Sequence, residues 1–211
     1  HSGTFDTIEI IDFAGSISFY QSEDVDGLSV TTQITPIHYV DADNTSGDGT
    51  SWANAFPTLQ EALAVASWNE QIWIAEGTYT PGNARTDTFT TLHYVGMYGG
   101  FDGTETSTGQ RDIEAHPTIL SGDIGVVDNV TDNVYHVVTC QSGTIALLDG
   151  ITVTGGNANG SGINESNGAG IFQVSGILSL QSCTIMDNIS SGMGGGVYSD
   201  GGAATYTNCT I

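Results

Sequence analysis

Short runs of alternating apolar and polar residues recur through the second half of the chain. Residues 168–172 (GAGIF) recur as residues 194–198 (GGGVY), and residues 183–185 (CTI) recur as residues 209–211 (CTI), both at an offset of 26 residues. Gly, Asn, Asp and Ser bound each run. Alternation over a few residues between such turn residues predicts short β-strands.

A third copy of the repeat lies upstream. Residues 148–153 (LDGITV) align with residues 180–185 (LQSCTI) at an offset of 32, and an insertion within residues 155–167 fits the difference. A repeat built only of short strands and turns is too short for a propeller blade and lacks the helices of helix-pair repeats. It predicts an all-β fold in which each repeat is one coil of a parallel β-helix, a solenoid whose apolar side chains stack inside.

Equivalent positions of the three copies should form inward-facing rows. One predicted row is Ile151, Cys183 and Cys209, and the other is Val153, Ile185 and Ile211. The corners of such coils need residues that tolerate a positive φ, which explains the 29 glycines of the chain.

Residues 57–67 show a helical pattern instead. Their apolar residues fall at helical spacing, and Thr58 and Glu61 have the positions of a capping box. Residues 71–75 (QIWIA) alternate like a strand directly afterwards. An amphipathic helix before the first coil would cover the open end of the solenoid, so we expect an N-terminal capping α-helix.

The chain is expected to contain two parts. Residues 1–36 do not match the repeat, and they could be a linker, the tail of a preceding domain or extra strands on the cap. Residues 37–211 are assigned to the solenoid. Because the chain does not begin with Met and Ile211 falls inside a repeat, we expect a piece of a longer exported product, truncated at its C-terminal end.

The net charge of the chain limits the classes of partner that it can bind. Asp and Glu number 24 against two cations, Arg85 and Arg111, and the formal net charge is −22. Without a basic patch to neutralise phosphates, the chain is not expected to bind nucleic acid or anionic membrane surfaces. No apolar run approaches the roughly 18 residues that a membrane-spanning helix needs, so no membrane insertion is expected. Divalent cations are better candidates.

Asp41, Asp43 and Asp48 form the candidate metal site. They lie within eight residues among Gly and Asn, as in a calcium loop, although the spacing does not fit the helix-loop-helix calcium pattern. Aspartates in such segments also stabilise turns through their own side chains. Calcium is therefore a possible cofactor, with turn stabilisation as the alternative. The five histidines show no zinc-binding spacing.

Cysteine and tryptophan residues leave further alternatives open. The three cysteines are an odd number, which argues against a disulfide framework, but Cys183 and Cys209 occupy equivalent repeat positions and could be bridged or free. Trp52, Trp68 and Trp73 could be sugar-stacking platforms or could pack the helix against the first coil. The sequence favours packing.

Several stretches resemble a known group of proteins. Residues 39–43 (YVDAD), 47–56 (GDGTSWANAF) and 72–79 (IWIAEGTY) are similar to the start of the right-handed parallel β-helix surface proteins of the choice-of-anchor type. The GGGVY and CTI repeats resemble those of chlamydial polymorphic outer-membrane proteins. The resemblance implies a right-handed β-helix that is extracellular or on the cell surface and serves adhesion, display or assembly. Its partners would be a cell-surface protein, a glycan or other copies of the chain.

An enzyme on the same scaffold is the alternative function. A polysaccharide lyase needs an activated base and cationic groups for the uronate, and a glycoside hydrolase needs two carboxylates on one face. Arg111 is expected to form a salt bridge with Asp112 or Asp123. Asp149 aligns with Gln181 in the repeat, so the repeat builds no acidic ladder. We therefore expect a non-enzymatic module.

Overall fold

The computed structural model describes residues 35–211. The N-terminal segment 1–36 lies outside the described residues except for its last two positions, so the alternatives for its role stay open. The described chain is rich in strands, has little helix, and pairs all of its strands in parallel. The prediction of a β-rich, parallel fold is confirmed.

The elements follow one another in a regular order. They are β1 (Ile37–Val40), α1 (Leu59–Val65), β2 (Gln71–Ala75), β3 (Gly77–Tyr79), β4 (Phe89–Thr90), β5 (Val95–Phe101), β6 (Thr118–Ser121), β7 (Val138–Cys140), β8 (Ile145–Asp149), β9 (Ile151–Thr154), β10 (Asn157–Ala158), α2 (Ile163–Ser166), β11 (Ile171–Val174), β12 (Ile177–Gln181), β13 (Thr184–Ile185), β14 (Ile189–Ser190), β15 (Val197–Asp200) and β16 (Ala203–Thr207). Short 3-10 helices span Trp52–Asn54 and Thr108–Gln110.

Three parallel sheets contain most of these strands. The first has the order β1-β2-β5-β8-β12-β16, the second β3-β6-β9-β13 and the third β4-β7-β11-β15, while β10 pairs with β14. The chain contributes one strand to each of the three sheets in turn. It then returns to the first sheet and adds a strand next to its previous strand there. We call one such passage a circuit. Leu180 pairs with Leu148 on one side and with Tyr206 on the other, which are the offsets of 32 and 26 residues seen in the sequence.

The predicted inward rows are confirmed except at one position. Ile151 and Cys183 are buried, and the half-buried Cys209 packs against the same core. Val153 and Ile185 are also buried. Ile211 lies beside Ile185, since a Cβ atom on Gly196 would be 3.0 Å from Ile211 Cγ2 and 3.4 Å from Ile185 Cγ2, but its side chain is 64% exposed, so burial is not confirmed there. Thr210 forms the bridge to Thr184, and no strand of residues 35–211 lies beyond it to cover the Ile211 side chain.

Helix α1 is shorter than the predicted 57–67 but lies where it was expected. The Thr58 side chain accepts a hydrogen bond from the Glu61 amide, and its own backbone is extended, which starts the helix. Ala66 is again extended and ends it. Leu59, Ala62 and Leu63 are buried in the main core, and the helix contacts β1 and β4. It therefore covers apolar core beside the first strands of the first and third sheets.

One corner between the first and second sheets requires a left-handed backbone in successive circuits. Gly150, Ser182 and Asn208 follow residues that pair with one another, and their φ values are 72°, 48° and 54°. A Cβ atom on Gly150 would lie 2.8 Å from Ile113 Cδ1 and 3.0 Å from the Gly99 carbonyl oxygen. Both conformation and space therefore select glycine at residue 150.

A glycine-to-alanine series tests this corner. Gly150→Ala should lower the free energy of unfolding by about 2 kcal/mol or more, because it adds a steric clash to a left-handed backbone. Gly143→Ala should cost only about 1 kcal/mol, since φ is 79° there but no atom lies within 4 Å of the new Cβ. Gly109→Ala, with neither constraint, is the control. Urea denaturation measures all three, and equal effects at residues 150 and 143 would contradict the packing argument.

Candidate functional site

Arg111 and Asp149 form an ion pair at the corner between the first and second sheets. Arg111 Nη2 donates to Asp149 Oδ2 at 2.9 Å, and the two side chains are only 12% and 13% exposed. The predicted ion pair of Arg111 with Asp112 or Asp123 is therefore wrong. The register of β5 and β8 places Asp149 opposite Tyr98, and this pairing brings a carboxylate from the next circuit to the guanidinium.

The remaining contacts of Arg111 are also internal. Its Nε donates to the Thr108 carbonyl oxygen at 2.8 Å and its Nη1 to the Gly99 carbonyl oxygen at 3.2 Å. The guanidinium carbon lies 5.4 Å from the ring centre of Tyr98 and 5.7 Å from that of Phe101, within cation–π range. The arrangement ties the loop before β6 to two neighbouring circuits.

Arg85 plays a similar part where the second and third sheets are joined. Its Nε donates to the Asn133 carbonyl oxygen at 2.7 Å, and its Nη2 donates to the Asn157 carbonyl oxygen at 3.0 Å and to Asn159 Oδ1 at 2.7 Å. The guanidinium lies 4.3 Å from the centre of the Tyr135 ring. One side chain thus links the connections of three successive circuits.

Outward carboxylates do not stack along the first sheet. Gln181 pairs with Asp149 on one side and with Thr207 on the other, and Asp149 pairs with Tyr98. The alignment of Asp149 with Gln181 is therefore confirmed, and the row that contains Asp149 has no second acidic residue next to it.

Two of the three predicted calcium ligands, Asp41 and Asp48, have carboxylates engaged in turns. Asp41 Oδ1 accepts the amide of Asp43 at 2.9 Å. Asp48 Oδ1 accepts the amide of Thr50 at 3.1 Å and its hydroxyl at 2.6 Å, and the hydroxyl hydrogen bond is the main cause that lowers the pKa of Asp48. Within residues 35–211, no group of three or more His, Cys, Asp or Glu side chains is placed to hold a metal ion. Turn stabilisation accounts for Asp41 and Asp48, and calcium binding at this loop stays a prediction.

A second Asp-Gly-Thr segment repeats the same turn. Asp102 Oδ1 accepts the amide of Thr104 at 2.9 Å and its hydroxyl at 2.6 Å, and these contacts, with the hydroxyl first, lower the pKa of Asp102. The adjacent Glu105 carboxylate accepts the amides of Asp102 and Gly103 at 2.8 and 3.2 Å. The sequence analysis missed this turn, although the repeated Asp-Gly-Thr signalled it.

The tryptophans divide into a packed pair and an exposed residue. Trp73 stacks on Phe101 with ring centres 4.8 Å apart, and Trp52 packs beside both and donates from Nε1 to the Glu105 carbonyl oxygen at 2.9 Å. Both rings are packed, but the predicted packing of the helix against the first coil is wrong for this pair: the rings lie on the outer side of the first sheet, because Ile72 and Ile74 occupy the inner side together with the helix residues. Trp68 is 58% exposed.

The three cysteines are free thiols, so the bridge considered between Cys183 and Cys209 is not formed. Burial raises the pKa of Cys183 to about 12 and also raises the pKa of Cys140. A thiol of this kind is almost entirely protonated near neutral pH, and the thiolate is the reactive form.

A surface with exposed apolar side chains lies where the second and third sheets are joined. We call it the loop edge, and it comprises residues 122–133, 155–168 and 186–195. Its large exposed apolar side chains are Val126, Val127, Val130, Met186, Ile189 and Met193. Asn157 connects two of the loops, because its side chain donates to the Val130 carbonyl oxygen and its backbone pairs with Ile189. The sequence signal for this surface was the group Val126, Val127 and Val130 within a polar segment. The sequence analysis did not use this signal.

No family model, curated protein or solved structure matches this chain. Neither α-helix of the described residues has the length and apolar character needed to cross a membrane. The resemblance to choice-of-anchor and polymorphic outer-membrane proteins therefore remains an expectation.

A matched pair of substitutions tests the ion pair. Asp149→Asn should lower the free energy of unfolding by about 2 kcal/mol, because a charged hydrogen bond is lost around a nearly buried guanidinium. Asp112→Asn is the control and should change it by less than about 0.5 kcal/mol. Thermal and urea denaturation measure both variants. A larger loss for Asp112→Asn would restore the partner that the sequence suggested.

Alkylation tests the buried thiols. In the native protein at pH 8, iodoacetamide should modify Cys183 at least about a hundredfold more slowly than in the protein unfolded in urea, because the thiolate is scarce and the sulfur is buried. Mass spectrometry of the peptides measures both rates. Rapid modification of Cys183 in the native protein would contradict its placement in the core.

Proposed function

We propose that residues 37–211 form a right-handed parallel β-helix that acts as a non-enzymatic, extracellular or cell-surface module for adhesion. The rotation of the chain through three parallel sheets supports the β-helix, since each strand pairs with the equivalent strand of the next circuit. A right-handed path is favoured because crossover connections between parallel strands of one sheet are right-handed in nearly all known proteins.

The observation that carries the proposal is the loop edge. Connections that are held on a rigid scaffold are common positions for binding surfaces. Here six large apolar side chains are exposed in two loops that join the same two sheets, and exposed apolar patches mark sites of protein association. Arg85 holds two of these connections together, residues 122–133 and 155–168, which fixes this part of the surface before any partner binds.

Charge complementarity indicates the chemistry of the partner. The chain carries a net charge of −22, and Asp128 and Asp187 lie among the apolar residues of the loop edge. A second copy of the chain would be repelled. The favoured partner is a protein surface with an apolar centre and a rim of Lys and Arg, which long-range attraction would also steer into place.

The contacts of the arginines favour a structural role over catalysis. A lyase on this scaffold would need cationic groups that face the substrate, whereas Arg85 and Arg111 donate to carbonyl groups of their own chain. Among residues 35–211, Asp149 is the one carboxylate that forms an ion pair with an arginine, and Arg111 holds it in place.

A glycan screen tests the non-enzymatic part of the proposal. The purified chain should release no products from polygalacturonate, alginate or neutral β-glucans, as measured by absorbance of unsaturated products and by reducing ends. Turnover that co-purifies with the chain in two different chromatographic steps would contradict the proposal and favour the polysaccharide lyase or hydrolase alternative.

A displayed library of random peptides tests the binding surface. Peptides selected on the wild-type chain should combine apolar residues with Lys or Arg, and Val127→Ser combined with Met193→Ser should weaken their binding at least about tenfold. These two side chains are 78% and 61% exposed, so their replacement should not affect folding. Val65→Ser combined with Trp68→Ser is the control, because it removes exposed apolar side chains at α1. Equal losses in both variants, or none at the loop edge, would contradict the assignment.

A further inference from the structure

Three buried oxygen atoms without partners lie together in sequence in one loop. Among the described residues, five buried side-chain oxygens have no hydrogen-bond partner, and three of them are Asp123 Oδ1, Asp132 Oδ1 and Asn133 Oδ1. A buried acceptor without a partner costs about 1–3 kcal/mol, and more when it is charged. Three such atoms within eleven residues therefore require an explanation.

The two carboxylates are directed at the same short stretch of the loop. Asp123 Oδ2 accepts the amide of Asp128 at 3.0 Å, and Asp132 Oδ2 accepts the amide of Val126 at 2.9 Å. Since these amides are only two residues apart, they lie within about 7 Å of each other. A hydrogen bond of 3.0 Å from the Val134 amide to the Gly122 carbonyl oxygen closes the base of the loop. Each carboxylate is thus fixed by one oxygen, and its other oxygen is left for a further partner.

Asn133 supplies the third oxygen and is almost completely buried, with 4% of its surface exposed. Its Nδ2 donates to the Gly155 carbonyl oxygen at 2.6 Å, which fixes the orientation of the amide. Gly155 in turn lies against Asp123, since a Cβ atom on Gly155 would be 3.1 Å from the Asp123 nitrogen. The Asn133 side chain is therefore anchored to Gly155, which lies against the main chain of Asp123, and its Oδ1 has no partner within residues 35–211.

No cation of the described chain compensates these carboxylates. Arg85 donates to the Asn133 carbonyl oxygen, but it forms no ion pair with Asp123 or Asp132 among residues 35–211. Two carboxylates and an amide oxygen offer acceptors only, and they are hard oxygen ligands. Calcium binds six to eight oxygen atoms of this type and accepts irregular geometry, with water or carbonyl groups completing its shell.

We propose that the loop of residues 122–134 binds a calcium ion through Asp123, Asp132 and Asn133. The site differs from the one that the sequence suggested at Asp41, Asp43 and Asp48. It contains two carboxylates and one amide rather than three acidic, histidine or cysteine side chains. Calcium would neutralise the buried charge and stiffen the loop that presents Val126, Val127 and Val130.

Calorimetric titration tests the site on the complete 211-residue chain, after treatment with a chelator and with calcium chloride alone as the probe. We expect one ion per chain, with a dissociation constant of about 0.1–1 mM, and binding of magnesium at least about tenfold weaker. Asp132→Asn should weaken calcium binding at least about tenfold, because it removes a charged ligand while its amide oxygen can still accept from Val126.

Two control variants locate the ion. Asp128→Asn removes the same charge from an exposed position of the same loop, and asparagine tolerates its φ of 63°, so calcium binding should remain within about twofold of the wild type. Asp43→Asn should also leave it unchanged. The proposal is overturned if the wild type binds no calcium at millimolar concentrations, if Asp128→Asn weakens binding as much as Asp132→Asn, or if only Asp43→Asn weakens it. The titration needs no protein partner, so its outcome is independent of the adhesive function proposed above.

Discussion

Parallel main-chain pairing between equivalent residues of successive circuits is the constraint on which the rest of the structure depends. Each strand lies beside the strand one circuit away. Residues at equivalent positions of successive circuits are therefore neighbours, at the spacing of adjacent strands. Apolar residues such as Leu148 and Leu180 therefore stack into a continuous core. The same rule penalises charges inside a sheet, since a carboxylate repeated at this spacing would face another carboxylate.

Within residues 35–211 the acidic residues consequently lie at strand ends, in the helices and in the connections, where each can be satisfied separately. Asp48 and Asp102 accept hydrogen bonds from threonines within their own turns. Asp149, at the end of a strand, pairs with Arg111. With 24 acidic residues and only two arginines, most of the negative charge has to be handled by main-chain amides, by solvent or by bound cations. The proposed calcium loop is the place where amides alone leave buried oxygens without partners.

The residues that stabilise the fold are also different from those that form the proposed binding surface. Core rows and main-chain pairing hold the three sheets, while the connections that form the loop edge are free to vary in length and composition. Arg85 donates to two of those connections and holds them to each other. Binding by such a surface needs no rearrangement of the sheets, which suits a module whose proposed task is attachment.

Features of the fold that depend on local spacing could be predicted from the sequence. The offsets of 26 and 32 residues predicted which strands pair, and the capping residues predicted helix α1, because periodicity and capping are properties of neighbouring residues. Three other features became visible only in the folded chain: Arg111 pairs with Asp149, Ile211 is exposed, and Asn133 carries a buried oxygen without a partner. These outcomes depend on how irregular connections pack across circuits, and no sequence spacing encodes the path of such a connection.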